Sequence, residues 1–173
     1  MDAIPEPMAA EFLHYNRWAN LLLIDACLKL TPEQLASGAP GTYGSIYATL
    51  VHLIQAEARY YKRLSGTSLE PPFAWESSPS PAQMRPYAEQ VSGALIEIAE
   101  KMQATDSILR TWHEPEWEGQ PERYKAVGML IQVVNHGVEH RTNITTTLAQ
   151  LGIESPGLDG WEYMRLNPQR MGI

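Results

Sequence analysis

Five histidines occur in this 173-residue chain. Two of them, His136 and His140, stand four apart in the stretch Asn135-His136-Gly137-Val138-Glu139-His140-Arg141. On a helix that spacing stacks both imidazoles on one face. Neutral imidazoles held this way can close a chelate ring on a divalent metal. The pair fits equally well two histidines on a helix flank that fall four apart by chance. Two ligands do not make a site, so a third must come from elsewhere. His52 is one candidate, because its same-face neighbours Ala48, Thr49 and Ala56 are small and leave room for an approaching group. Read on its own helix, His52 is a polar-side surface histidine before it is a ligand. His113 is a rival third ligand, and Glu114 and Glu116 are rival oxygen ligands. They lie beside Pro115 and Gly119, in a loop-like stretch that makes a poorer platform than a helix.

The elements that must carry these residues read as helices. Residues 8–30 form a first helix, with Met8, Phe12, Tyr15, Ala19, Leu22, Leu23, Ala26 and Leu30 as its apolar face. His14, Trp18, Leu21 and Asp25 fall on its far side. There His14 reads as a solvent-exposed histidine, and Trp18 and Leu21 suggest a subunit interface. Residues 31–44 are a Pro/Gly/Ser/Thr loop, and residues 45–64 a second helix with Ser45 as N-cap and Gly66 just past its end. Its stripe is Ile46, Leu50, Leu53, Tyr60, Tyr61 and Leu64, and Glu57 falls on it. Residues 65–80 are long for a connection between antiparallel neighbours and suit a crossover. Ser80-Pro81 opens a third helix to about residue 103, whose regular part Pro86 is expected to delay. Residues 104–124 read as loop or short strand pieces. A fourth helix covers residues 125–151, with Val127, Leu130, Val134, Gly137, Val138, Ile144, Leu148 and Leu151 inward. Met129, His136, His140, Asn143 and Thr147 form a line at the edge of that face, where a bundle would build a pocket. Residues 158–164 form a short terminal helix capped by Asp159, with Trp161 and Tyr163 docking on the bundle.

Two charges lie on core stripes, Glu57 and Arg141. A buried carboxylate and a buried guanidinium each need a partner, so the two are expected to pair inside the bundle. Asn143 and Thr147 are candidates to position a substrate or a water. Glu139 projects about 100° away from its neighbour His140 and is a candidate acceptor for an imidazole N–H.

Composition narrows the function classes. Apolar residues make up 44% and charged residues 19%, and the net charge is -7. An acidic chain is a poor nucleic-acid partner, since phosphate binding wants a basic stripe. No apolar run approaches the roughly 20 residues that span a bilayer, so no membrane partner is expected. The start of the chain lacks the basic and apolar runs of a signal peptide. Cys27 stands alone, so no internal disulfide forms. It reads as a small buried hydrophobe, and the cytoplasm is the expected location.

Three pieces in order carry a family resemblance: Tyr15-Asn16-Arg17-Trp18-Ala19-Asn20, His52-Leu53-Ile54-Gln55-Ala56-Glu57, and His136-Gly137-Val138-Glu139-His140-Arg141. Together they resemble the DinB/YfiT-like family of bacterial four-helix bundles, over nearly the whole chain. The resemblance implies a single all-α domain over residues 1–173, a four-helix bundle running up-down-down-up. It implies one divalent metal ion on His52, His136 and His140, zinc first, with nickel, iron or manganese as alternatives. A homodimer is implied as well, because many members are dimers. Some members are thiol-dependent transferases or isomerases that use glutathione, mycothiol or bacillithiol. The expected activity is therefore metal-dependent, with a small-molecule thiol activated for transfer to an electrophilic substrate. A hydrolase using metal-bound water and a non-catalytic, stress-related metal-binding module are the alternatives.

Overall fold

The computed structural model describes residues 8–102, 109–112 and 122–170. Among them four long helices dominate: α1 (Met8–Cys27), α3 (Ile46–Ser65), α4 (Pro81–Lys101) and α5 (Ala126–Gln150). A short α2 (Pro32–Leu35) follows α1, and α6 (Gly160–Leu166) follows α5. Strands β1 (Leu109–Trp112) and β2 (Glu122–Lys125) pair antiparallel, with Leu109 opposite Lys125. No described helix is long and apolar enough to cross a membrane.

Local chemistry sets the ends. Ser45 Oγ accepts from Ala48 N at 3.0 Å, and Gly66 closes α3 at φ 81°, a left-handed conformation that glycine adopts without strain. Ser80 and Gln83 form a reciprocal capping box, with Pro81 as the first residue of α4. The helix is regular from Pro81 through Pro86, so the expected delay does not occur. Pro86 and Ala82 are both exposed, and the Ala82 carbonyl that loses its donor can turn to water. α1 stops at Cys27, short of the expected residue 30, and Thr31 lies beyond it. Thr31 caps α2, accepting from Gln34 N while the Gln34 side chain accepts from Thr31 N.

The long helices pack side to side in a ring, α1 on α4, α4 on α3, α3 on α5, and α5 back on α1. Asp25 meets Arg85 and Arg17 meets Glu89 across the first seam. The connection between α3 and α4 is tied down as well: Tyr87 Oη donates to the Leu69 carbonyl at 2.7 Å, and Phe73 and Trp75 pack edge-on against each other.

Two faces differ from the expectation. On α1 the buried residues are Ala10, Leu13, Asn16, Ala19, Asn20, Leu23, Ile24 and Cys27. Phe12 is 55% exposed and Met8 is exposed as well. The apolar stripe misled because the true inward face carries two asparagines. On α5, Val127, Val138 and Leu151 are exposed, whereas Met129, His140, Arg141 and Thr147 are buried. Of the histidine line, Met129, His140 and Thr147 belong to the core wall, while His136 and Asn143 stand half-buried at its edge, as expected. His14 is not solvent-exposed either. Its side chain is largely covered, and Nε2 lies 3.8 Å from Glu100 Oε1.

The tail covers the surface on which a subunit interface was expected. Tyr163 is buried against Trp18 and Tyr15, with ring centroids 5.4 and 5.7 Å away, and its hydroxyl donates to Glu11. Leu21 packs on the core. Trp161, expected to dock, is 81% exposed.

Candidate metal centre

His52 comes from the first half of α3, and His136 and His140 from successive turns of α5. The His136 Nε2 atom lies 3.1 Å from His52 Nε2 and 3.1 Å from His140 Nε2. All three ligand atoms lie within 4.8 Å of one another. Burial lowers the pKa of each imidazole, and drives that of His136 down to about 4, with the neighbouring histidines and Arg59 adding to the shift. Glu139 works the other way on His52 and His140. The three rings are therefore neutral at neutral pH.

Three neutral imidazoles with nitrogens turned on a common point are electrostatically awkward. One N–H can satisfy a single Nε2 contact, and the remaining lone pairs face each other. A divalent cation removes that conflict. Metal–nitrogen bonds of about 2.0–2.1 Å at tetrahedral or octahedral angles put neighbouring ligand nitrogens roughly 2.8–3.4 Å apart, which matches the two 3.1 Å separations from His136 Nε2. The donor set thus fits a divalent ion, and among the described residues no fourth histidine, cysteine, aspartate or glutamate joins the group.

Tyr43, from the loop before α3, closes one flank. Its ring stacks on His52 with centroids 4.3 Å apart and stands edge-on to His140 at 5.0 Å. Its hydroxyl is 3.0 Å from His52 Nδ1. On the other flank Tyr60 packs edge-on against His136 at 5.7 Å.

The remaining expected site residues have other roles. Asn143 does not face the imidazole nitrogens: its Oδ1 accepts from Tyr43 N at 3.0 Å, and its Nδ2 donates to the Glu139 carbonyl. Thr147 is buried and donates to the Asn143 carbonyl within its own helix. Glu139 is exposed and accepts no imidazole N–H, since His136 Nδ1 and His140 Nδ1 have no hydrogen-bond partner. His113, Glu114 and Glu116 lie outside the described residues. Cys27 is buried in the core, its thiol pushed up to about 12 by burial, and stays a neutral apolar group.

Beneath the histidines runs a polar network across the ring of helices. Glu57 on α3 and Arg141 on α5 are both buried, and two asparagines of α1 bridge them. Asn16 Nδ2 and Asn20 Nδ2 donate to Glu57 Oε1 at 2.6 and 2.7 Å. Arg141 Nη1 donates to Asn16 Oδ1 and Asn20 Oδ1 at 2.7 and 2.6 Å. The expected partnership is thus relayed through amides, each of which offers an acceptor to the cation and a donor to the anion. Burial raises the Glu57 carboxyl to about 7, opposed by Asn16, Arg141 and Asn20.

Sequence reasoning missed Asn16, Asn20 and Tyr43. Two amides four apart on a mostly apolar helix, with two unpartnered charges elsewhere, were a usable signal for the asparagines. Nothing in one sequence marks Tyr43, whose contacts are all tertiary.

Convergent histidines on two packed helices, over a buried polar bridge to a third, form a group that could hold a metal ion in a helical protein. The DinB family model matches residues 6–171, and the chain belongs to the DinB family. Protein DinB of Bacillus subtilis (strain 168) is similar to it, 22% identical over 160 residues that cover 90% of this chain and 93% of that protein.

Proposed function

We propose that this protein holds one divalent ion, zinc first, on His52, His136 and His140 and is an enzyme that activates a low-molecular-weight thiol for transfer to an electrophile. The observation that carries this reading is the convergence of three neutral Nε2 atoms without a fourth protein ligand among the described residues. Structural zinc sites are closed by four protein ligands, whereas catalytic ones keep a position open. When bound there, the ion supplies Lewis acidity, which lowers the pKa of a thiol or a water that reaches it.

The chain's own residues do the rest. Burial keeps the imidazoles deprotonated, so that their lone pairs are free at neutral pH. Tyr43 and Tyr60 shield the rings from bulk water on two sides, and His52 stays partly open to solvent. The overall path proposed is a four-helix bundle, up-down-down-up. Side-chain pairings in opposite residue order along α1/α4 and α3/α5, and in the same order along α1/α5, support it.

The test is calorimetric titration of the metal-loaded protein with glutathione, bacillithiol and mycothiol. Saturable heat with one of the three supports thiol chemistry. No heat with any of them rejects it and leaves the metal site to another reaction or to a binding role.

A further inference from the structure

We infer that Tyr43 is a positioning residue of the site: its hydroxyl fixes His52 as the Nδ1–H tautomer, and its ring holds that imidazole's Nε2 on the point shared with His136 and His140. The inference rests on the metal-binding part of the reading above and says which residue outside the ligand set makes His52 competent.

Four observations place Tyr43 in this role. Its Oη lies 3.0 Å from His52 Nδ1, while His52 Nε2 faces His136. An imidazole that offers Nε2 as a lone pair carries its proton on Nδ1, and that N–H then donates to the tyrosine oxygen. Second, the ring is in contact with two of the three histidines at once, stacked on His52 at 29° and edge-on to His140 at 86°. The eight intervening residues do not restrain it that way, so tertiary contacts do.

Third, the loop that presents Tyr43 is fixed at both sides. Thr42 Oγ1 donates to the Ala39 carbonyl at 2.7 Å, and Ile46 N donates to the Ser37 carbonyl at 2.8 Å. Gly41 takes φ 81°, and a Cβ on Gly38 would lie 2.9 Å from the Gly44 carbonyl oxygen. The Tyr43 N–H is then pinned to Asn143 Oδ1 on the ligand helix, three residues beyond His140. Fourth, the Nδ1 atoms of His136 and His140 have no such partner. Both are set on α5 itself, four apart, so the helix orients them. His52 is the lone ligand from its helix and has no neighbouring ligand to hold its ring.

Partners of this kind raise ligand basicity and fix ring orientation, and their removal typically weakens metal binding about 10–100-fold. Tyr43 is 55% exposed and lies outside the core, so removing its hydroxyl is expected to leave the core packing intact.

The experiment uses the full chain and its Tyr43→Phe variant, with melting curves as a control for folding. Two readouts are taken. The first is zinc affinity by competition with a chromophoric chelator, together with the visible spectrum of the cobalt-loaded form. The second needs no metal: nitrogen-15 shifts of the histidine rings in the metal-free protein at pH 8, which report tautomers directly. The expected result is an Nδ1–H His52 in the parent chain, loss of that preference in Tyr43→Phe, and zinc affinity reduced by roughly 10-fold or more. Equal zinc affinity and an unchanged His52 tautomer in Tyr43→Phe overturn the inference. A parent chain that binds no zinc overturns the metal reading instead, and the tautomer readout still decides whether Tyr43 sets the ring.

Discussion

Gly137 and Asn16 approach so closely that a Cβ placed on Gly137 would lie 2.3 Å from Asn16 Oδ1 and 2.7 Å from Arg141 Nη1. The glycine between the two histidines therefore serves the bridge beneath them, by letting α1 send its amide against α5. Helix propensity alone favours alanine over glycine by about 1 kcal/mol. Asn16 cannot retreat without losing its bonds to both Arg141 and Glu57. Gly137→Ala is expected to destabilise the protein by about 1–3 kcal/mol, read from chemical denaturation. A rise in stability would mean that the amide yields freely.

Asn20 serves both charges at once, donating to Glu57 and accepting from Arg141. Asn20→Leu keeps the size and removes both bonds. Each buried charge is left with fewer partners, and the expected loss is about 3 kcal/mol. A loss under about 0.5 kcal/mol, the size of an ordinary surface change, would show that Asn16 suffices.

Burial lifts the Glu57 carboxyl from 4.5 to about 7. The folded state therefore binds this proton more tightly than the unfolded chain. The stability it contributes is complete below about pH 4.5 and is lost as pH rises through 7. Glu57→Gln does not titrate there. The stability of the parent chain relative to Glu57→Gln is expected to fall between pH 4.5 and 7, by on the order of 3 kcal/mol. A relative stability that climbs over that window would show that Arg141, acting through the asparagines, outweighs burial.

The parts of the fold set by local hydrogen bonds were legible in the sequence. Ser45, Gly66, Ser80-Pro81 and Asp159 stand where helices begin or end, because caps are written within four residues. The inward faces of α1 and α5 were harder to read. Each holds polar groups that compensate one another across the core, so counting apolar residues selected Phe12, Val127 and Val138, which are exposed or nearly half exposed. His136 and His140 were visible from spacing alone. His52 needed the family resemblance, since its place on a polar face says nothing until α5 is set against it. Glu57 and Arg141 announced that something must join them, but the joining residues lay on a third helix.

The central claim is that His52, His136 and His140 share one divalent ion. Its most direct test is metal content by mass spectrometry of protein purified without a histidine tag, beside the single variants His52→Ala, His136→Ala and His140→Ala. The account predicts near one divalent metal per chain in the parent and a loss of most of it in every variant, with the helical signal retained. A parent chain that stays empty after incubation with zinc and dialysis, or variants that keep their metal, would contradict it.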